Sequence, residues 1–542
     1  MEKFKSWFKI YWIVLLFALA KLLVHLITAT HYGLHRDAYL YLAQSDHLDW
    51  GFFSTPPLTA FMTRIHTLIW GDSLLAVRML PALVGSISIF LVGWLIKALK
   101  GGTMALVMGL SAYLLSPAFL RPAVLLQPII FNHLFWLLSA VVIFLMIRKQ
   151  DPRLILWMIP VLGLGWMAKY SIIFYGFALL IALIISRQRK LLWSPYLPLT
   201  LLGGLLVILP NLIWQYQHNW PVITHMSELQ ETQLGNVLLK DFLIAQILMH
   251  LPAVPVWLAG LICLISNRKH RDFRIFAWAF LLTLALIILL RGKFYYTIAA
   301  YTILVVFGAL AWEQWAARPR RFLAHLVLLL MLSGGLFILP FSLPVFKPGR
   351  MVEYDQKISK MGLEVMLKWE DGQVHDLPQD YADMVGWDEL GEKVWTFFEE
   401  LHDSVQEETW IYGEFYGCAG AIRYSRPDPS YPDVYSFNDA FMEWIPREPG
   451  FKHLIYVGYS DRLPLYFREL TAVGTVDHPH FREKGLPHGK GAYPRTDDIL
   501  SRSINLSVGV VDAGLGAAFG IHIKATDAEI ERAAGRFREA CA

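Results

Sequence analysis

Apolar stretches long enough to cross a bilayer recur through the first 345 residues and rule out an ordinary soluble fold. They can be read at 10–28, 74–96, 104–120, 129–147, 154–167, 172–186, 196–214, 242–266, 275–290, 294–312 and 322–343. An α-helix needs roughly 20 residues to span the hydrocarbon core. No water is available there to satisfy backbone N–H and C=O groups, so each segment must close its hydrogen bonds internally as a helix. The pattern predicts a polytopic α-helical membrane domain over residues 1–345 with about eleven transmembrane helices. The short pair at 154–167 and 172–186 also fits half-spans that meet inside the bundle. Charged residues make up only 17% of the 542-residue chain, against roughly a quarter in soluble domains. The first stretch is long enough to stay as an anchor rather than be cleaved.

Charge placement sets the expected orientation. Lys3, Lys5 and Lys9 precede the first stretch, and Lys97 and Lys100 follow the second. Alternate loops then carry Arg148, Lys149 and Arg153; Arg187, Arg189 and Lys190; Arg268, Lys269, Arg271 and Arg274; and Arg318, Arg320 and Arg321. Cytoplasmic loops are enriched in Lys and Arg. These loops and the N-terminus are therefore expected in the cytoplasm. With an odd number of crossings, the chain after Leu343 is expected outside. The net charge of +4 follows this topology, and no nucleic-acid partner is expected. Three cysteines, Cys263, Cys418 and Cys541, are too few and too scattered for a disulfide framework or a zinc site.

Composition changes near residue 346, where Pro, Asp, Glu and Gly rise. In 388–401, Leu390, Val394, Phe397, Phe398 and Leu401 recur at helical spacing. "TWIYG" and "HLIYVG" are short apolar runs that each stop at a glycine, as buried strands do. A C-terminal extracytoplasmic α/β domain over 346–483 is expected, then a polar tail, 484–542, that closes on a surface helix.

The unusual residues gather in the loops expected outside. The first such loop, 29–73, contains "HRDAYLYLAQSDHLDWGFFSTPPL", in which Asp37, Tyr41, Gln44 and Leu48 would share one side of a helix. Such a helix could lie along the interface with Tyr39 and Tyr41 at headgroup depth. Asp37 either N-caps that helix or faces a water-filled cavity as a functional carboxylate. His35, His47 and His66 could help Asp37 hold a divalent cation, although no metal-ligand spacing is recognisable. Asp46 and Asp49 read as surface polar residues. "STPPL" makes a rigid break that shapes the loop.

Arg121 and Gln127 follow the third stretch, Lys169 separates the short pair, and Arg291 and Lys293 stand beside Tyr295 and Tyr296. Each cation could snorkel to the interface. Four together on the side that the charge rule leaves poor in cations point instead to an anionic ligand, such as a polyprenyl phosphate. "PNLIWQYQHNWP" crowds Trp214, Tyr216, His218 and Trp220 around two glutamines, which fits either sugar binding or an aromatic belt.

With those residues in view, the chain resembles a bacterial family 39 glycosyltransferase, related to protein O-mannosyltransferases and lipid A aminoarabinose transferases. The resemblance rests on the first-loop motif, then "QPIIFNHLFW", "KYSIIFYGFALL", "PNLIWQYQHNWP" and "GKFYYTIAAY". "LPQDYADMVGWDEL" and "EFYGCAGAIRY" extend it, so that it covers roughly residues 10–480 and ends after "FREKGLP". It implies the C-type glycosyltransferase fold and a polyprenyl-phosphate sugar donor used at the outer face of the cytoplasmic membrane. It places the family's first-loop aspartate, the general base, on Asp37. Many relatives carry an acidic pair there, whereas this chain has Ala38 in the second place. Relatives often carry an aspartate after the third span; the comparable positions here are Gln127 and Asn132.

The expected activity is transfer of a sugar to a hydroxyl of an envelope glycan, lipid or protein. Asp37 would take the hydroxyl proton, and Lys169, Arg291, Lys293 and Arg121 would hold the donor phosphate. His35, Tyr41, Gln127, Trp214, Tyr216, His218 and Tyr295 would line the substrates. One displacement would invert the sugar. Two other readings stand beside this one. A flippase of a lipid-linked sugar should show paired repeats, and none is visible; an inactive binding scaffold would fit the incomplete acidic pair.

Overall fold

A computed structural model of the chain describes residues 2–232, 234–316, 321–362, 364–369, 372–446, 451–458 and 504–507. Arg318, Arg320, Cys541 and the expected terminal helix lie outside the described residues. Among the described residues, six helices are long and apolar enough to cross a membrane: Phe8–Thr28, Leu74–Ala98, Pro128–Lys149, Leu197–Gln217, Phe294–Trp315 and Arg321–Ser342. Two bent pairs, Thr103–Leu115 with Pro117–Ala123 and Leu239–Leu248 with Leu251–Ser266, raise the number to as many as eight. The other three apolar stretches form shorter helices, Pro152–Ala168, Ile172–Ile185 and Ile275–Leu289. Each expected stretch is thus helical, and the chain is a multi-pass membrane protein. Eleven uniform crossings overstate its regularity, because two stretches break and three fall short of spanning length.

Two devices hold the apolar helices together. The first is close backbone approach. A Cβ on Gly260 would sit 1.8 Å from the Leu304 carbonyl oxygen, and one on Gly308 would sit 1.8 Å from that of Val256. The helices Val254–Ser266 and Tyr301–Trp315 therefore meet backbone to backbone. Small residues allow this contact where lipid removes the hydrophobic drive for helix pairing. The second device satisfies backbone groups freed by breaks. The chain bends by 78° between Thr103–Leu115 and Pro117–Ala123. Lys21 Nζ donates to the Phe119 carbonyl at 2.7 Å, and His25 Nε2 lies 3.0 Å from the Leu120 carbonyl. Both side chains are buried on the first helix. Without them the bend would leave bare carbonyls in hydrocarbon. At the other end of Thr103–Leu115, Glu313 accepts from the N–H groups of Gly102, at 2.8 Å, and Ala105, at 3.1 Å. These are orphan donors of a helix start, which attract a carboxylate.

Contacts divide the chain into two compact units, Met1–Tyr32 with Leu48–Ala382 and Gly33–His47 with Asp383–Ala542. This division falls elsewhere than residue 345. Helix Pro348–Lys360 belongs with the apolar unit, since Tyr354 donates to the Phe337 carbonyl and its ring meets Phe337, Phe341 and Phe346. The first-loop helix Arg36–Asp46 belongs with the C-terminal unit.

That second unit is α/β. Strands β1 (Thr409–Gly413), β2 (Val434–Tyr435), β3 (His453–Gly458) and β4 (Ile504–Ser507) form a parallel sheet in the order β2-β1-β3-β4. Both glycine-terminated apolar runs are strands, and β4 comes from the segment read as a polar tail. Parallel neighbours need crossovers, and helix Tyr416–Tyr424 supplies the one between β1 and β2. Helix Trp387–Glu399 buries Leu390, Val394, Phe397 and Phe398, as their spacing predicts. It packs on Tyr416–Tyr424 through a Trp395 Nε1 hydrogen bond to the Ile422 carbonyl at 2.9 Å.

Candidate functional site

In the second unit, Asp37 occupies the first turn of helix Arg36–Asp46. It is not the N-cap. That role falls to His35, whose Nδ1 accepts the Asp37 N–H at 3.1 Å. His35 is buried, with Nε2 3.7 Å from Asp383. The Asp37 carboxylate is left to other partners at a helix N-terminus, where a negative charge is favoured. Tyr416 Oη donates to Asp37 Oδ1 at 2.6 Å, and Arg36 Nε lies 3.7 Å from the same oxygen. The Asp37 side chain keeps 24% of its exposure, enough to meet a ligand.

Why Tyr416 reaches Asp37 follows from "EFYGCAGAIRY". A Cβ on Gly420 would lie 2.8 Å from Tyr39 Cβ, and one on Gly417 would lie 3.2 Å from Arg36 Cβ. Two glycines three residues apart thus let helix Tyr416–Tyr424 settle directly on helix Arg36–Asp46. The first-loop helix is consequently packed, not interfacial. Tyr39 and Tyr41 are buried, where headgroup depth was expected. Tyr39 Oη donates to Asp388 at 3.2 Å, and its ring meets Trp387 and Tyr424 edge-on. Asp46 is exposed, as expected of a surface residue, and lies 3.7 Å from Arg423; His47 stacks on Trp444 at 4.2 Å. Burial first, then the charge of Asp37, raises the pKa of both Tyr41 and Tyr416 well above the ordinary phenol value. Both remain hydroxyl donors at any physiological pH.

In the first unit, two of the four expected cations gather. Lys169, just past helix Met158–Ala168, has its Nζ 5.7 Å from the Tyr296 ring. Lys293 Nζ lies 5.8 Å from the Tyr295 ring, and the two tyrosine rings are 5.0 Å apart. Cation–π contact holds an ammonium on its ring face. A third group, which sequence reasoning missed, belongs with them. His225, on helix Pro221–Thr232, has its pKa lowered to about 4 by burial and then by the charges of Lys169 and Lys293. Its ring meets Phe53 at 6.0 Å. Nothing in the spacing of "VITHMSE" marks that histidine; only the fold does.

The remaining expected residues divide. Arg291 is exposed in a left-handed backbone conformation, φ 51°. Arg121 is ion-paired with Asp380, so its charge is already engaged. Gln127 stands at the start of helix Pro128–Lys149, half-buried. The aromatic crowd at 214–220 separates. Trp214 is buried against Gly51, where a Cβ would lie 2.3 Å from its ring, and stacks on His218 at 4.1 Å. Tyr216 is 71% exposed. Gln215 and Asn211 both donate to Tyr170 Oη, at 3.0 and 3.2 Å, and Asn211 also to the Trp50 carbonyl at 2.8 Å. This network fastens the first loop to helix Leu197–Gln217 and leaves Trp214 a packing role. Among the described residues no group of three His, Cys, Asp or Glu converges to hold a metal ion.

The comparisons with known proteins agree with this architecture. Two crystal structures of ArnT from Cupriavidus metallidurans superpose on the chain. The one bound to undecaprenyl phosphate gives a TM-score of 0.56 at 14% identity, covering 79% of this chain and 86% of that one. The apo structure gives 0.54 at 15% identity, covering 78% and 85%. The fold is that of the C-type glycosyltransferases. The family model described as dolichyl-phosphate-mannose-protein mannosyltransferase matches residues 54–214 of this C-type chain, which relates it to those enzymes. No curated protein matches.

Proposed function

We propose that this chain is a membrane glycosyltransferase that moves a sugar from a polyprenyl-phosphate donor to a hydroxyl acceptor at the outer face of the cytoplasmic membrane. The observation that carries the reading is Asp37 itself: a partly exposed carboxylate at a helix start, held by a tyrosine, on a C-type fold. The undecaprenyl phosphate in the ArnT structure supports the donor class. The N-terminus is then cytoplasmic and the α/β unit extracytoplasmic.

In this reading an acceptor hydroxyl attacks the anomeric carbon, its proton passes to Asp37, and the anomeric C–O bond to phosphate breaks. General-base help of this kind contributes roughly 10²–10⁴-fold. Negative charge grows on the departing phosphate, and Lys169 and Lys293 offset it, with Arg291 as a further cation. A single displacement inverts the anomeric centre. His35 belongs to the scaffold, since its ring nitrogen caps the helix. Tyr41 shapes the wall next to Asp37, and Tyr295 steadies Lys293.

The test uses full-length protein in nanodiscs with radiolabelled polyprenyl-phosphate sugars and total envelope glycan and lipid as acceptor. Labelled product together with free polyprenyl phosphate supports the reading. Label that changes leaflet without product would make the protein a flippase, and neither result would leave a scaffold.

A further inference from the structure

The residue that donates to Asp37 is itself fastened by a part of the chain far from the first loop. Asp439 opens the short helix Asp439–Trp444 and is buried. Its backbone is left-handed at φ 53°, a conformation that a non-glycine residue rarely adopts and that persists only where its surroundings hold it. The neighbouring Asn438 supplies the hold: its Oδ1 accepts the N–H of Tyr416 at 3.2 Å, at the start of helix Tyr416–Tyr424. Asp439 Oδ1 also accepts from Ala440 N–H at 2.7 Å. The segment 438–439 is thus pinned to the same residue that touches Asp37. The charges of Asp37 and Asp439 act together on the phenols of Tyr41 and Tyr416.

We propose that Tyr416, from the C-terminal unit, is a positioning residue for the general base, its own backbone N–H held by Asn438. Its hydroxyl donates to Asp37 Oδ1, while His35 Nδ1 stands 3.8 Å from Oδ2. Burial, then the charge of Asp37, keeps the Tyr416 phenol protonated, so it is a permanent donor. A hydrogen bond donated to the ionised carboxylate favours that form. Tyr416 therefore favours the ionised, proton-accepting form of Asp37. Sequence likeness to the transferases points to the first loop for this chemistry; the geometry adds a residue 379 positions away.

This inference rests on the transferase reading, and its test separates the two. Tyr416→Phe removes one oxygen and keeps the ring in its packing. In full-length protein, the Asp37 carboxylate is followed by infrared pH titration, its band identified by its loss in Asp37→Asn. Tyr416→Phe is expected to move that titration upward by about one pH unit. In the transfer assay kcat is expected to fall about tenfold with KM within about twofold, the acid limb of the pH–rate profile moving up in parallel. The double variant Asp37→Asn with Tyr416→Phe should transfer no more slowly than Asp37→Asn alone. An unmoved Asp37 titration in a Tyr416→Phe protein whose near-ultraviolet circular dichroism is native would overturn the proposal, whatever the activity. Absence of transfer by the wild type would instead remove the parent reading, while the infrared titration still decides for or against Tyr416.

Discussion

A hydroxyl on Tyr416 and a carboxylate on Asp37 lie 2.6 Å apart across a separation of 379 residues. That contact exists because Gly417 and Gly420 carry no side chain where helix Arg36–Asp46 lies. It follows that filling the gap should disturb both the packing and the carboxylate. Gly420→Val puts branched carbon against Tyr39, and overpacking of this kind typically costs about 1–3 kcal/mol. Tryptophan-monitored melting should show the loss, with Gly420→Ala milder. An unchanged melt would mean the two helices are not held in close contact.

A similar argument applies to the apolar unit, with a larger effect. Gly260 and Gly308 each face a backbone carbonyl, which cannot swing away as a side chain can. Gly260→Leu and Gly308→Leu are expected to abolish accumulation of folded protein, read as monodisperse yield after detergent extraction. Gly204 meets nothing within 4 Å, so Gly204→Leu should extract normally.

Asp355 gives a pH signature. Both of its carboxylate oxygens are buried without a hydrogen-bond partner, and burial, then the charge of Asp376, raises its pKa from the ordinary 3.8 to about 7. Tyr32, with its own hydroxyl buried and unpartnered, feels the Asp355 charge, as does Tyr381. Below pH 3.8 the group is protonated in both folded and unfolded chains and has no effect. Between there and about 7 the unfolded chain releases the proton and the folded one keeps it, so stability falls as pH rises. Asp355→Asn should therefore melt increasingly above the wild type from pH 4 to about pH 7, and by a steady margin above that. A constant difference across that range would show that Asp355 titrates normally.

His225 reports on the cation cluster. Burial, then two lysines, keeps it neutral at pH 7, with its pKa lowered to about 4. Removing one neighbouring positive charge favours the imidazolium. In Lys293→Gln the His225 titration, followed by nitrogen-15 resonances, should move upward, and KM for the lipid-linked donor should rise roughly 10–100-fold, the usual worth of a charge-assisted contact. Unchanged KM would remove Lys293 from donor binding.

The sequence discloses the layout of this protein better than its site. The apolar period marks every membrane-associated helix, since the bilayer leaves a helix as the only way to satisfy the backbone. "TWIYG" and "HLIYVG" reveal their strands for a similar reason: a buried parallel strand is apolar on both faces. Breaks were harder to see. The bend before Pro117 is stabilised by Lys21 and His25, whose roles depend on a helix 95 or more residues away. The N-cap position open to Asp37 falls to His35 because a histidine ring nitrogen can cap as an oxygen does. Trp214 and Tyr216 are two residues apart on one helix, so one faces Gly51 and the other faces away. Tyr416, Asp439 and His225 are invisible in one dimension because partners supplied by the fold give each its chemistry.

Transfer of labelled sugar from a polyprenyl-phosphate donor by Asp37→Asn, beside the wild type in the same nanodiscs, tests the account most directly. Asparagine keeps the shape and the Tyr416 contact but accepts no proton. Transfer should drop by roughly 10²–10⁴-fold with melting unchanged; turnover at the wild-type rate would contradict the assignment of Asp37 as the base.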